Sequence, residues 1–311
     1  MNPDLFVVGP IYPPALKILD DTYTTHKLWL APDKEAFIAS VADRCVAAAT
    51  SGVNGMSADM MRKLPKLRMI SHFGTGVDSI DVDAAKKLGI AVSNTPDVLT
   101  EDVADLTVAL LLATVRCICE GDRHVRAGKW PKATLHLTAS LQGKTVGIIG
   151  MGRIGQAIAR RCEAFNLKIA YQTPHRKPDL AWTYYADPVA LATACDMVIA
   201  ACPGGEATRG LVSRAVIEAL GPEGVLVNIA RGSVVDEDAL VEALVNGKLG
   251  GAGLDVFVHE PKVPEALLKL DNVVLLPHVG SATHPTRMAM GQLQIDNLAA
   301  FFAGKPLKTP Y

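Results

Sequence analysis

Val146-Gly147-Ile148-Ile149-Gly150-Met151-Gly152-Arg153-Ile154-Gly155-Gln156-Ala157-Ile158-Ala159 is the stretch of this chain that decides its fold. An apolar run of strand type feeds into G-x-G-x-x-G, and a helix-forming run begins on the last glycine. The three glycines meet three steric demands: a tight turn, close approach of backbone to a diphosphate, and contact between helix and strand. The helix N-terminus then offers unpaired N–H groups and a partial positive charge, which suits phosphate. A glycine turn without a ligand would also carry the bare motif. The strand before it and the helix after it favour a dinucleotide site, with Gly150, Gly152, Arg153, Ile154 and Gly155 against the cofactor.

The residues upstream alternate in the same manner. Short apolar runs at 5–8, 45–49, 68–73 and 91–93 read as strands, and 14–20, 33–40, 58–64 and 82–88 read as helices. Ser57 is placed as an N-cap for the third helix and Gly89 as the C-cap of the fourth. A longer helix is predicted after Thr100 as N-cap, running towards Arg116. Downstream, strands are expected at 145–149, 168–171, 197–202, 225–229, 253–256 and 273–276, with helices between them. Asp236 should cap the helix 237–246, and a last helix spans 285–304. Alternating β and α predicts parallel sheets covered on both faces. The polar segment 121–143, with Trp130 beside Pro131, reads as an excursion over the surface or onto a partner subunit.

Composition narrows the rest. A chain of 311 residues exceeds what one core usually serves, so two domains are expected. The 31 basic and 32 acidic side chains nearly cancel, which gives no reason to expect nucleic acid or a membrane surface as partner. The apolar run 103–119 is too short for a membrane span and is broken by Asp105 and Arg116, so a buried helix is expected. The six cysteines form no C-x-x-C pair, so neither a metal site nor a disulfide framework is expected. Free thiols and an N-terminus without a basic, apolar leader point to the cytoplasm.

The end of the strand at 168–171 bears on which dinucleotide is bound. An NAD site usually places Asp or Glu about twenty residues after the glycines, to accept from the ribose hydroxyls. Here the sequence continues Gln172-Thr173-Pro174-His175-Arg176-Lys177, with no carboxylate before Asp179. Thr173, His175, Arg176 and Lys177 would instead suit a ribose 2′-phosphate, so NADP(H) is favoured and NAD(H) stays as the alternative. A merely solvated basic loop is the competing reading.

Three polar residues follow strand-like runs in the second half, where ligands collect in doubly wound sheets. Arg231 follows Val227-Asn228-Ile229-Ala230, Glu260 follows Asp255-Val256-Phe257-Val258-His259, and His278 follows Leu275-Leu276-Pro277. Together they fit reduction of a 2-keto acid. A guanidinium binds the carboxylate and polarises the carbonyl. An imidazolium gives up a proton to the developing alkoxide, and a carboxylate orients the ring and favours its charged form.

In order along the chain stand Gly150-Met151-Gly152-Arg153-Ile154-Gly155, Asn228-Ile229-Ala230-Arg231-Gly232, Gly253-Leu254-Asp255-Val256-Phe257 with Glu260-Pro261, and Leu276-Pro277-His278-Val279-Gly280. With Asn94-Thr95-Pro96 at the domain crossing, the series resembles the D-isomer-specific 2-hydroxyacid dehydrogenases over the whole chain. Within that family it is most similar to the NADPH-dependent glyoxylate/hydroxypyruvate reductases and the related hydroxyphenylpyruvate reductases.

The resemblance implies an α/β protein of two doubly wound parallel-sheet domains. A Rossmann cofactor domain at 97–284 would be inserted into a flavodoxin-like substrate domain made of 1–96 and 285–311. It implies catalytic roles for Arg231, Glu260 and His278, with Asp255 on the nicotinamide amide and Gly280 beside the ring. Cys202, Pro203, Ile229 and Ala230 would border the cofactor. Gly74, Thr75 and Gly76, with Arg231 and His278, would bind the substrate, the turn offering backbone N–H groups to its carboxylate. Family members are usually homodimers. Two departures bear on the substrate: Gly204-Gly205-Glu206 follows Pro203 where a leucine and a hydroxyl residue are common, and Thr50-Ser51-Gly52 makes a small pocket wall. The expected activity is NADPH-dependent reduction of glyoxylate or hydroxypyruvate to the 2-hydroxy acid. A reductase of larger aromatic or branched 2-keto acids, and a non-catalytic dinucleotide-sensing protein on the same fold, stay as alternatives.

Overall fold

The computed structural model describes residues 2–311 and divides into two compact units, Met1–Leu99 with Ser281–Tyr311, and Thr100–Gly280.

The first unit opens with β1 (Asp4–Val7), α1 (Pro13–Thr22), β2 (Thr24–Lys27), α2 (Lys34–Val41) and β3 (Ala47–Ser51). It continues with α3 (Ala58–Arg62), β4 (Met69–Phe73), α4 (Val82–Lys87) and β5 (Ala91–Ser93). All pairings are parallel, in the order β2-β1-β3-β4-β5. That is the flavodoxin-like winding. Successive residues face opposite ways: Phe6, Ala48, Ile70 and Val92 join one apolar cluster with Ile38, Val41, Met61 and Ala85 from α2, α3 and α4. Ser57 caps α3 by accepting from the Met60 N–H, and Gly89 follows α4 at φ +67°. The edge strand β2 was not expected. Its sequence, Thr24-Thr25-His26-Lys27, is polar because an edge strand has only one covered side, so it lacks the apolar signature of the central strands.

The second unit holds α5 (Thr100–Val115), α6 (Ile118–Arg126), β6 (Thr145–Ile149), α7 (Arg153–Ala164), β7 (Lys168–Gln172) and β8 (Thr183–Tyr185). Then follow α8 (Pro188–Ala194), β9 (Met197–Ala200), α9 (Arg214–Leu220), β10 (Val225–Asn228), α10 (Glu237–Val245), β11 (Gly251–Leu254) and β12 (Val273–Leu275). The seven strands are parallel in the order β12-β11-β10-β9-β6-β7-β8. Counting outward from β6, this is Rossmann winding with one added strand, and its switch point lies between β6 and β9.

Alternation along the strands builds two cores. Ile148, Met197, Ile199, Val225 and Val227 face Val108, Leu111 and Ile158 of α5 and α7. Ile149, Val198, Ala200 and Leu226 face Leu191, Val216 and Leu240 of α8, α9 and α10. α5 lies so close to β11 that a Cβ on Gly253 would fall 2.7 Å from Leu110 Cγ. α5 is a buried helix, as read, and among the described residues no helix is long and apolar enough to cross a membrane. Two corrections concern this region. Thr100 is the first residue of α5 and not its cap, and the segment 121–143 begins inside α6 before turning irregular. The exposed, polar α6 buries no residue fully, which is why apolar periodicity failed to reveal it.

The chain returns to the first unit for α11 (His284–Phe302), packed on α1 and β4. Gly291 presses on α1, where a Cβ would stand 2.4 Å from that of Ala15.

Candidate active site

The glycine turn sits at the switch point, where β6 ends beside β9. Gly150 has φ +97°, and a Cβ there would lie 2.5 Å from the Cys202 backbone. A Cβ on Gly155 would fall 2.1 Å from the Gly150 carbonyl oxygen, so α7 can start against the strand only through glycine. Gly152 differs. It caps α7 with ordinary φ −75°, and nothing lies within 4 Å of the place its Cβ would occupy. The second glycine therefore leaves open space in front of a helix N-terminus that no side chain caps. That combination fits the diphosphate of a dinucleotide.

At the end of β7, Thr173 is buried and its hydroxyl donates to the His175 carbonyl at 2.7 Å. Tyr171 accepts from the Lys177 N–H at 3.0 Å and pins the loop. His175 and Arg176 are exposed and Lys177 half-buried. None of these three side chains has an ion-pair or hydrogen-bond partner among the described residues. The positive charges of Arg176 and Lys177 are thus locally uncompensated, as a phosphate site requires.

Three loops at the strand ends carry the polar trio. After β10, the Asn228 side chain accepts from Ala230 N–H at 3.0 Å and donates to the Arg231 carbonyl at 2.9 Å, and the Arg231 guanidinium donates to the Ala230 carbonyl at 2.8 Å. Gly232 allows this loop to touch the next: its Cβ would fall 2.0 Å from the Phe257 carbonyl carbon. After β11, one Glu260 oxygen accepts from Phe257 N–H at 3.1 Å and the other meets His278 Nδ1 at 2.7 Å. A carboxylate can only accept, so Nδ1 carries the hydrogen and Nε2 is the ring nitrogen left for chemistry. Burial pushes the Glu260 carboxyl up, but His278, the Phe257 N–H and Arg231 outweigh it and hold its pKa below the ordinary value.

His278 itself lies at φ +54°, a left-handed backbone that costs a non-glycine residue about 1–2 kcal/mol. Asp255 offsets this. Its carbonyl accepts from His278 N–H at 2.8 Å, and its carboxylate oxygens accept from Val279 and Gly280 N–H at 2.7 and 2.9 Å. Burial lifts the Asp255 carboxyl above its ordinary value even though both N–H groups favour its charge. A Cβ on Gly280 would stand 3.1 Å from Asp255 Oδ2, which explains the glycine. Asp255 was assigned only to the nicotinamide; here it also shapes the His278 loop.

In the first unit, the turn at 74–76 is held from behind. Gly74 N–H donates to Thr95 Oγ1 at 3.0 Å, Thr95 N–H to the Gly74 carbonyl at 2.9 Å, and Asn94 to the Thr75 carbonyl at 2.8 Å. Buried His72 meets the Gly76 carbonyl at 2.9 Å and Thr50 Oγ1 at 2.9 Å. Gly74 has therefore spent its N–H inward. Sequence reasoning did not single out His72 or assign Thr95 a role in the turn. A histidine inside an otherwise apolar strand was the signal available.

A family model described as "D-isomer specific 2-hydroxyacid dehydrogenase, NAD binding domain" matches residues 108–280. The chain belongs to the D-isomer-specific 2-hydroxyacid dehydrogenases. It is 49% identical over 292 residues to a hydroxyphenylpyruvate reductase of Plectranthus scutellarioides, covering 94% of this chain and 93% of that one. A glyoxylate/hydroxypyruvate reductase of Arabidopsis thaliana matches with the same identity and coverage. Among solved structures, the NADPH-dependent glyoxylate/hydroxypyruvate reductase of Sinorhizobium meliloti, in complex with NADP and malonate, superposes with TM-score 0.93 at 44% identity. That match covers 100% of this chain and 97% of the other. In this 2-hydroxyacid dehydrogenase the matched span ends on Gly280, so it takes in the glycine turn, Arg231, Glu260 and His278 together.

Proposed function

We propose that this dehydrogenase reduces small 2-keto acids, glyoxylate and hydroxypyruvate first, to their 2-hydroxy acids with NADPH. The observation that carries the reading is the His278–Glu260 pair at 2.7 Å, which joins the loops after β11 and β12 in the unit that holds Arg231 and the glycine turn. The residues present fit a nicotinamide dinucleotide through the open space at Gly152 and the unpaired cations after β7. When bound, the reduced cofactor supplies hydride to the keto carbon.

The chain's own residues do the rest. Arg231 binds the substrate carboxylate and polarises the carbonyl; the N–H groups of Thr75 and Gly76 are further donors to a carboxylate. As the carbonyl π pair moves onto oxygen, His278 delivers the Nε2 proton to it. Glu260 holds the ring by Nδ1 and stabilises the imidazolium before transfer. A dinucleotide-sensing protein would have no use for this pair, which ranks the enzyme ahead of the sensor. In this reading 1–96 with 285–311 binds substrate and 97–284 binds cofactor.

The reading extends to a cytoplasmic homodimer. The free cysteines suit a reducing compartment, and Trp130 and Leu137 stand exposed on the surface of the second unit, as an apolar subunit contact would require.

The test is steady-state reduction of glyoxylate, hydroxypyruvate and phenylpyruvate with NADPH and NADH side by side. Faster turnover of the small acids with NADPH is expected. Preference for NADH would reduce His175, Arg176 and Lys177 to a solvated loop, preference for phenylpyruvate would favour the larger-substrate reading, and no turnover would favour the sensor.

A further inference from the structure

Away from the strand ends, Cys117, Glu120 and His136 bring a thiol, a carboxylate and an imidazole nitrogen within 4.8 Å of one another. Cys117 is the left-handed N-cap residue of α6, and Glu120 lies three residues on in its first turn. His136 comes from the irregular segment that crosses back over this helix.

That segment is fastened on either side of the histidine. His124 of α6 contacts the Ala133 carbonyl at 2.8 Å, and Arg116 donates to Thr138 Oγ1 at 3.0 Å. The ring has a fixed orientation as well. Its Nδ1 donates to the Leu137 carbonyl at 3.1 Å, which turns Nε2 towards Glu120, 3.0 Å away. One ring nitrogen on a backbone carbonyl and the other facing the ligand set is how metal-binding histidines are held.

We infer that Cys117, Glu120 and His136 form a binding site for a borderline-soft divalent cation of the zinc type. Thiolate, carboxylate and neutral imidazole balance a 2+ charge, and the mixture of sulfur, nitrogen and oxygen selects zinc over magnesium or calcium. A tetrahedral ion with bonds of about 2.0–2.3 Å sets its ligands some 3.3–3.8 Å apart, so the three groups need to shift only by about an ångström. The fourth position is left to water. The thiol and the His136 Nε2, which donates to the Glu120 carboxylate in the empty site, both give their protons to solvent as the ion binds. The bound ion cross-links α6 to the segment 127–143. Sequence spacing concealed the site, because His136 lies sixteen residues from Glu120 and no Cys or His repeat announces it.

The whole protein, reduced and stripped by chelator, would be titrated with Zn2+ against a chromophoric competitor and separately with Co2+. One ion per chain is expected, with a near-ultraviolet thiolate-to-cobalt band and the strong visible bands of a tetrahedral site. Cys117→Ser and His136→Ala should each weaken binding about a hundredfold or more, and Cys119→Ser should not. His136 is exposed, so its variant reports on the site even where the Cys117 change impairs folding. Failure to bind, a cobalt spectrum without the thiolate band, or affinity unchanged in both ligand variants would overturn the proposal. None of these readouts depends on turnover.

Discussion

The turn at 150–155 and the turn at 74–76 are both glycine turns after a parallel strand. They are held in opposite ways. In the first, the glycines themselves carry the geometry: Gly150 and Gly155 each remove a Cβ that would collide with backbone, Gly152 leaves open space, and a twelve-residue helix stands behind. In the second no helix follows directly, and the shape comes from side chains reaching in from β3, β4 and the segment after β5. A turn built from steric exclusion is rigid and visible in its own spacing. A turn built from borrowed hydrogen bonds depends on residues some twenty positions away and can be retuned one bond at a time.

Substitutions can separate the two designs. The largest effect is expected for Gly155→Ala, whose Cβ meets the Gly150 carbonyl. It should cost about 3 kcal/mol of stability and abolish measurable cofactor binding, read by thermal unfolding and by fluorescence titration with NADPH. Gly152→Ala should leave the melting temperature unchanged and weaken NADPH by about 2 kcal/mol, roughly thirtyfold, because the new methyl meets only the ligand. Equal destabilisation by both would break the distinction between glycine for packing and glycine for approach.

For the other turn, Thr95→Val removes the acceptor of the Gly74 N–H while keeping shape. A loss of about 1–1.5 kcal/mol should appear as a roughly tenfold rise in KM for the keto acid, with NADPH affinity intact. An unchanged KM would mean that the turn does not need its borrowed bonds.

The smallest effect concerns pH. The folded pKa of Glu260 lies below the ordinary value, so the stability its ionisation contributes is complete above the unfolded-chain pKa and is lost as pH falls through the folded one. Glu260→Gln should flatten that acid limb in a series of unfolding curves. An unaltered acid limb would show that the pairing contributes no net stability.

What was legible in the sequence follows the same division. Central strands buried on both faces announce themselves as apolar runs, and the six strands expected in the second unit are found at or within two residues of their places. The edge strands β2 and β8 and the exposed helix α6 escaped, because a half-covered element has little apolar signature. The polar trio was readable because each member follows a strand end and its neighbours carry a family resemblance. The contacts that fix His278 were not. Its left-handed backbone and the double use of Asp255 arise only when two loops meet, and no local pattern encodes them.

The return of the chain to its first unit sets an order of events during synthesis. α11 supplies Gln294, whose amide donates to the Thr50 and Ser71 carbonyls, and Asn297, which ties down Lys308 and Thr309. None of these bonds can form until the ribosome has made the intervening unit of about 180 residues. At 5–20 residues per second the wait is roughly 10–40 s. Throughout it the first ninety-nine residues must manage with β4 uncovered on the face that α11 will occupy, while the inserted unit, continuous in sequence, is free to finish first.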